Sequence, residues 1–124
     1  MGRKIIVLNS GGFDSVVLMH YLEFMGYDIV SLFFDYGQRN IVQERKCAKK
    51  VADKLKAEFL EITLPKMAWC EDNPLLNTDS QNQNQYIPMR NLVFLSYALS
   101  IAEERDIKFI YVGFVKDPEG KYFN

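Results

Sequence analysis

The sequence has few cysteines, one histidine and no long apolar run. The two cysteines, Cys47 and Cys70, are too few for a disulfide scaffold and wrongly spaced for a zinc ribbon. No apolar run approaches the roughly 20 residues of a membrane span, and the amino terminus is not typical of a signal peptide. Neither sign of charge dominates, with 15 basic and 16 acidic residues, which argues against a surface that coats nucleic acid. We therefore expect a reducing, cytoplasmic setting, no membrane and no direct nucleic-acid partner.

The composition that remains is that of an ordinary globular protein. Apolar residues make up 48% and charged residues 25%, which argues against a mainly disordered chain. A length of 124 residues suits one domain, and we predict a single domain over residues 1–124. Within it, residues 63–87 contain Pro65, Pro74 and the amide run 81–85, and this stretch is long for a connection. We expect either a functional loop or a mobile one there.

Strand and helix patterns alternate along the rest of the chain. Short apolar or β-branched runs predict strands at residues 4–9, 28–34, 58–62 and 108–112. Apolar residues at helical spacing predict helices at residues 14–25, 41–55 and 91–105. This order predicts an α/β fold, a parallel sheet of at least four strands with flanking helices.

The apolar spacing also predicts which face of each helix packs on the core. For the first helix the predicted core residues are Val17, Leu18, Tyr21, Leu22 and Met25. For the second helix they are Ile41, Ala48, Val51, Ala52 and Leu55, with Glu44 and Lys46 facing outward. For the third helix they are Leu92, Phe94, Leu95, Leu99 and Ala102. His20, inside the first helix, is interpreted as structural.

Residues 10–15, with the sequence SGGFDS, stand between the first strand and the first helix. Ligands of parallel α/β sheets bind beyond the carboxyl ends of the strands, where a helix amino terminus offers free N–H groups to an anion. The two glycines allow the backbone to approach phosphate oxygens, and Ser10 and Ser15 add hydroxyl donors. Asp14 could hold Mg²⁺ or cap the helix. The alternative is a tight turn with a capping aspartate; neither a dinucleotide fingerprint nor a Walker A loop fits.

Three segments together resemble one known family. The loop at residues 10–15 resembles the pyrophosphate loop of the N-type ATP pyrophosphatases. Residues 34–39, FDYGQR, are similar to a block of the 7-cyano-7-deazaguanine synthase family within that superfamily. Residues 87–91, IPMRN, are similar to the V-P-G-R-N segment of that family, with Met89 in place of glycine. The three segments occur in the order of the family, and the resemblance spans nearly the whole chain.

The resemblance implies a fold, a reaction and a set of ligands. The implied fold is a three-layer, Rossmann-like sheet of the adenine nucleotide alpha hydrolase type. The implied reaction converts 7-carboxy-7-deazaguanine to 7-cyano-7-deazaguanine with ATP and ammonia, through an adenylated carboxylate, for queuosine-type bases. This is a carbon–nitrogen ligase reaction. ATP and Mg²⁺ are the implied cofactors.

The same resemblance implies roles for individual residues. Those implied to bind ATP are Ser10, Gly11, Gly12, Phe13, Asp14, Ser15, Phe34 and Asp35. Those implied to bind substrate are Tyr36, Gln38, Arg39, Arg90 and Asn91, and those implied to act in catalysis are Asp14, Arg39 and Arg90. Arg90 suits bidentate contact with phosphate or carboxylate. The alternatives are that Tyr36 belongs to an ordinary turn, that Arg39 is a surface cation, and that Asn91 caps its helix.

The chain also departs from the family. The family carries a further part with a four-cysteine zinc site; Cys47 and Cys70 lack the paired spacing of such ligands, and Asp117 matches a family aspartate only with a displacement. We expect one of three situations: a fragment, a short form completed by a homo-oligomer or a partner, or a nucleotide-binding protein without the reaction. An unpaired sheet edge favours an oligomer or a missing carboxyl-terminal partner. Another adenylating tRNA-modification enzyme is a further alternative.

Overall fold

A computed structural model describes residues 2–65 and 89–113 of the chain. Its elements, in chain order, are β1 (Lys4–Leu8), α1 (Phe13–Phe24), β2 (Asp28–Asp35), α2 (Ile41–Lys54), β3 (Glu58–Thr63), α3 (Arg90–Arg105) and β4 (Ile110–Tyr111). Most of the predicted loop 63–87, together with Cys70 and Asp117, lies outside the described residues. The predicted order of strands and helices is confirmed within the described ranges.

The four strands form one parallel sheet in the order β3-β2-β1-β4. Each face of the sheet carries its own apolar cluster, because successive side chains of a strand point to opposite faces. Ile6 and Leu8 of β1 pack with Ala98 of α3, whereas Ile5 and Val7 belong to the cluster that contains Met19 of α1. Helices therefore cover both faces, α3 on one and α1 with α2 on the other, and the predicted three-layer α/β fold is confirmed.

The predicted core face of α1 is only partly right: Leu22 is buried and Leu18 packs against the core, as expected. Ser15, Met19 and Leu22 are the buried residues of this helix. Val17, Tyr21 and Met25, which were expected in the core, are 50%, 59% and 55% exposed. The helix is apolar on most of its surface, so apolar spacing alone does not select a face; contact with the sheet does.

The other two helices are predicted better but not fully. Ala48, Val51 and Ala52 of α2 are buried as expected. In α3 the buried residues are Ala98 and Ala102, whereas Leu92 and Leu99 are 54% and 61% exposed, contrary to prediction. Small side chains on the inner face let α3 lie close to the sheet, which moves the two leucines to its outer surface.

Several element ends differ from the prediction in ways that concern the site. Helix α1 begins at Phe13 with Gly12 as its N-cap and no side-chain cap, so Asp14 does not cap it. Helix α3 begins at Arg90, one residue early, with Met89 as N-cap; Asn91 therefore lies in the first turn and does not cap the helix. Strand β4 is shorter than predicted, because it pairs with β1 at only two positions.

Candidate functional site

A buried asparagine, Asn9, fixes the loop between β1 and α1. Its side-chain Nδ2 donates to Ser31 Oγ at 2.9 Å and to the Ala48 carbonyl oxygen at 3.0 Å. Its Oδ1 accepts the Gly11 N–H at 2.9 Å. Asn9 is only 2% exposed, so these three bonds satisfy a polar group that would otherwise be costly to bury. They tie the start of the loop to β2 and α2.

The two glycines of the loop serve different purposes. Gly11 has a φ of +79°, and a Cβ built on it would lie 2.7 Å from the Glu44 carbonyl oxygen and 3.1 Å from the Ala48 nitrogen. Gly11 is therefore required by its conformation and by its close approach to α2. A Cβ on Gly12 would meet only Ser10 Oγ, at 3.3 Å, and otherwise open space. Gly12 is the glycine that leaves room for a ligand.

The serines of the loop hold its shape. Ser15 Oγ donates to the Gly12 carbonyl oxygen at 3.1 Å and accepts the Ser10 N–H at 3.3 Å. The Gly12 N–H in turn donates to Ser10 Oγ at 3.3 Å. The amino terminus of α1 thus lies behind an ordered loop and has no side-chain cap. Helical N–H groups at such an end are available to an anion.

An aromatic cluster lies across the cavity from this loop. Phe34 and Phe94 stack with ring centroids 4.4 Å apart, and Tyr36 lies 5.5 Å from Phe94. Arg90, the first residue of α3, places its guanidinium 5.8 Å from the ring centroids of both Tyr36 and Phe94. Such contacts are cation–π interactions, which orient the guanidinium.

Arg90 and Tyr36 also meet through their polar ends. Arg90 donates from Nη1 to the Tyr36 hydroxyl oxygen at 3.5 Å. Burial raises the pKa of Tyr36, and the nearby Glu44 carboxylate adds to the rise, although the Arg90 charge opposes it. The phenol is consequently protonated at neutral pH, and its oxygen accepts from Arg90 while its own proton is left for another acceptor.

The segment that follows β2 is braced by its own side chains. Gln38, which is 3% exposed, accepts the Tyr36 N–H at 2.8 Å and donates to the Phe34 carbonyl oxygen at 3.0 Å. Asp35 accepts the Gly37 N–H at 3.1 Å. Its other oxygen pairs with Arg45 at 3.2 Å, on a guanidinium that also binds Glu61. The amide of Gln38 is used within the protein, which makes it a brace for Tyr36.

These elements enclose a cavity of about 800 Å³ at the carboxyl end of β1 and β2. Its volume lies within the range of small-molecule sites, about 300–1,000 Å³. The predicted site residues that line it are Ser10, Gly11, Gly12, Phe13, Asp14, Ser15, Phe34, Tyr36, Gln38, Arg90 and Asn91. Asp35 and Arg39 are not among its lining residues, and Arg39 is exposed. Ligand contacts by all of the predicted site residues stay predictions.

Several lining residues were missed by the sequence reasoning. Asn9 follows a strand as an ordinary polar residue, and only its burial reveals its role. Glu44 was expected to face outward, but it lines the cavity and accepts a hydrogen bond from Gln38. Cys47, a free thiol as predicted, also lines the cavity. The signal that could have identified Glu44 and Cys47 is their position in the first two turns of α2, beside the glycine loop.

Residues 2–65 and 89–113 contain no group of three or more histidine, cysteine or acidic side chains placed to hold a metal ion. Among the helices in those ranges, none combines the length and the apolar character that a membrane span needs.

A parallel sheet with a glycine-serine loop at its first helix defines the class of protein: an α/β protein of the pyrophosphate-loop type. The family described as "Queuosine biosynthesis protein QueC" matches residues 4–122. The chain belongs to this family, and the resemblance seen in its three segments is confirmed.

Curated relatives carry the name 7-cyano-7-deazaguanine synthase. The relative from Methanospirillum hungatei is 39% identical over 121 residues, which cover 89% of this chain and 55% of that protein. The relative from Methanoculleus marisnigri is 36% identical over 122 residues, with 90% and 55% covered. The relative from Nitratiruptor is 33% identical over 128 residues, with 96% and 58% covered. The chain thus spans little more than half the length of these relatives.

A solved structure shares the fold. It is described as a predicted subunit of tRNA methyltransferase from Methanocaldococcus jannaschii and superposes with a TM-score of 0.58. The alignment covers 98% of this chain and 58% of that one at 22% identity. A likeness at this identity supports the α/β architecture alone.

Proposed function

We propose that the cavity binds ATP and 7-carboxy-7-deazaguanine, and that the chain supplies the ATP-binding part of a 7-cyano-7-deazaguanine synthase. The observation that carries the proposal is the meeting, in one cavity, of the glycine-serine loop and the Arg90 guanidinium. The name of the curated relatives supports the substrate class. Because the chain covers little more than half of those proteins, its activity on its own is part of the proposal.

The proposed reaction activates a poor electrophile. A carboxylate oxygen attacks the α-phosphorus of ATP and releases pyrophosphate, and ammonia then displaces AMP to leave an amide. A second ATP activates the amide oxygen in the same way, and loss of AMP and a proton leaves the nitrile. The first attack by ammonia forms a carbon–nitrogen bond, as in a ligase. The work asked of the protein is positioning and the stabilisation of negative charge.

The loop and the start of α1 are suited to the phosphates. Gly12 leaves open space beside the backbone, and α1 presents an amino terminus without a side-chain cap. A helix amino terminus of this kind favours an anion through its N–H groups and its dipole. In the proposal these groups hold the pyrophosphate portion of ATP while it becomes the leaving group.

Asp14 is suited to a magnesium ion. It lies in the first turn of α1, is exposed, and lines the cavity beside the loop. Mg²⁺ commonly binds one or two carboxylates together with substrate phosphates and water, so a single carboxylate fits this group. Bound there, Mg²⁺ would offset phosphate charge. Zinc is different: Cys47 lines the cavity without the partners that a structural zinc site needs among the described residues, and no step is assigned to zinc.

Arg90 and Tyr36 are suited to the substrate end of the cavity. The guanidinium lies 5.8 Å from the centroids of two aromatic rings and has a planar set of donors for a carboxylate or a phosphate. The Tyr36 phenol, kept protonated by its raised pKa, can donate to an oxyanion beside it. Together they would orient the carboxylate and steady the charge that develops as pyrophosphate leaves.

Substrate-dependent exchange of labelled pyrophosphate into ATP tests the proposal. Exchange that requires 7-carboxy-7-deazaguanine is the expected result, because adenylation of the carboxylate is reversible. Exchange only with another acid would instead favour a different adenylating enzyme. ATP binding without exchange would favour a chain that binds the nucleotide but needs further polypeptide for the reaction, which the partial coverage of the relatives also supports.

Two substitutions test the assignment of the site. Asp14→Ala and Arg90→Ala should each weaken ATP-dependent activity by at least about tenfold, as expected for the loss of a charged contact. Both side chains line the cavity, so folding should change little. Matched controls are Asp53→Ala and Arg105→Ala; Asp53 is exposed on α2 and Arg105 forms an exposed pair with Glu58. Unchanged ATP affinity and activity in both site variants would contradict the assignment.

We also propose that the chain associates with further polypeptide, as a homo-oligomer or with a carboxyl-terminal partner, in a cytoplasmic setting. Within residues 2–65 and 89–113, strands β3 and β4 are the two edges of the sheet. On α1, Phe13 and Phe24 are 82% and 84% exposed, so this helix also presents apolar surface. Exposed edges and apolar patches are commonly covered. A clean monomer in sedimentation that melts cooperatively would count against this proposal.

A further inference from the structure

Glu44 is an acidic side chain inside a cavity that is otherwise suited to anions. It lies in the first turn of α2 and lines the cavity together with the phosphate loop and Arg90. Its backbone carbonyl oxygen is the atom that a Cβ on Gly11 would meet at 2.7 Å. The backbone of Glu44 thus touches the phosphate loop, and Glu44 lines the same cavity as that loop. A carboxylate at this position of the cavity favours a ligand that offers N–H donors.

The orientation of Glu44 is set by a buried neighbour. Gln38 Nε2 donates to Glu44 Oε1 at 3.1 Å, and Gln38 is itself 3% exposed and bonded to the β2 backbone. Within the described residues, Glu44 Oε2 has no hydrogen bond. Each carboxylate oxygen can accept two bonds, so both oxygens retain capacity for a ligand. The carboxylate is therefore oriented in advance and only partly used.

We infer that Glu44 recognises the donor edge of the deazaguanine base, namely its ring N1–H and its 2-amino group. This inference rests on the proposed function. Two adjacent N–H donors match the two oxygens of one carboxylate, as in other paired recognition of carboxylates. The Watson–Crick edge of adenine presents one amino donor beside an acceptor nitrogen, which matches a carboxylate poorly. Glu44 therefore selects a guanine-type base over the adenine of ATP.

The charges around Tyr36 fit a substrate with two unlike ends. Arg90 donates to the Tyr36 hydroxyl, and Glu44 accepts from the Gln38 amide that also braces the Tyr36 backbone. The substrate carries an N–H edge on its six-membered ring and a carboxylate on its five-membered ring. With Glu44 on the N–H edge and Arg90 toward the carboxylate, the base is held in one orientation. Glu44 is a specificity-determining residue in this arrangement, and Gln38 is a positioning residue.

Equilibrium binding to the full chain tests the inference without requiring turnover. Two ligands are titrated by calorimetry: 7-carboxy-7-deazaguanine and the same acid without its 2-amino group. The unaltered chain should prefer the first by about tenfold to a hundredfold, the range for a hydrogen bond to a charged group. Glu44→Gln keeps the size of the side chain and an oxygen for Gln38, but places an amide where the base needs an acceptor. It should reduce the preference to less than about threefold.

The control variants separate this role from a structural one. Glu104→Gln makes the same chemical change at an exposed position of α3 and should keep the full preference. Glu44→Asp retains the negative charge on a shorter side chain, farther from the base, and should give an intermediate preference. This variant replaces Glu44→Gln in the test if Glu44→Gln does not fold. A full preference for the 2-amino ligand in Glu44→Gln, or no such preference in the unaltered chain, would overturn the inference about Glu44 but not the proposed function. Binding of ATP without any binding of 7-carboxy-7-deazaguanine would instead contradict the proposed function, and the inference with it.

Discussion

Substituting each glycine of the phosphate loop by alanine should separate folding from ligand binding. Gly11 has a φ of +79°, and its Cβ would approach the Glu44 carbonyl oxygen to 2.7 Å and the Ala48 nitrogen to 3.1 Å. Both are backbone atoms of α2, so they cannot rotate away as a side chain would. Gly11→Ala must therefore either move the helix or distort the loop.

The expected loss of stability follows from these contacts. A left-handed conformation costs an L-residue about 1–2 kcal/mol. Forcing a methyl group against packed atoms costs a further ~1–3 kcal/mol. Alanine also lowers the conformational entropy of the unfolded chain, which offsets about 0.4–1 kcal/mol of this loss. We expect Gly11→Ala to lower the free energy of unfolding by about 2–4 kcal/mol, which at roughly 4 °C per kcal/mol is a fall in Tm of about 8–16 °C.

Gly12→Ala is the matched control, because its Cβ would meet only Ser10 Oγ, at 3.3 Å. Its free energy of unfolding should change by less than about 1 kcal/mol. Its affinity for ATP should fall at least tenfold, since the new methyl group occupies the open side of the loop. Urea unfolding and ATP titration measure the two effects separately. A Gly11→Ala variant as stable as the parent would refute the packing argument, and undiminished ATP affinity in Gly12→Ala would refute the phosphate role of the loop.

Three further changes probe the surroundings of the loop. Asn9→Ala removes the side chain that bonds three neighbouring groups, and should lower the free energy of unfolding, measured in urea, by about 2–4 kcal/mol. Little change would show that water replaces those bonds and would contradict this role of Asn9. Met89 has a φ of 54°, so Met89→Gly should be neutral or stabilising by up to ~1 kcal/mol; a larger loss would show that the methionine side chain outweighs the strain. Burial raises the pKa of Tyr36 in the folded chain. The contribution of its protonated phenol to the free energy of unfolding is therefore complete below the unfolded pKa of about 10, and it is lost as pH rises through the higher folded pKa. Tyr36→Phe should therefore flatten the alkaline fall in stability, and identical pH profiles for the two proteins would contradict this account.

The order of the elements was predictable because each carries a local signal. Short apolar strands alternate with longer amphipathic segments, and that alternation is enough to predict a parallel sheet. The faces of α1 and α3 were not predictable from spacing, since Tyr21 and Leu99 are apolar yet exposed while Ala98 is buried. Which face packs depends on the distance between helix and sheet, a property of the assembled fold.

The same distinction holds for the site. The glycine-serine loop and Arg90 could be found because their residue types carry the chemistry and stand at the ends of predicted elements. Gln38 was expected to contact substrate; it lines the cavity and its amide braces the backbone around Tyr36, and its contact with substrate stays a prediction. Glu44 was expected to face solvent because it is charged, although it lies four residues before the buried Ala48 and therefore on the same face of α2. That spacing and its position in the first turn of α2 were signals for a place in the cavity, whereas the tight contact between α2 and Gly11 appears only in the folded chain.

The central claim is that ATP binds in the cavity between the loop at residues 10–15 and Arg90. Protein-observed NMR with an ATP analogue that resists cleavage between the α- and β-phosphates tests this directly. The account predicts the largest amide shifts in the loop, at the start of α1 and at Arg90, and their loss in Gly12→Ala. Shifts confined to the exposed face of α1, or no shifts at saturating analogue, would contradict it.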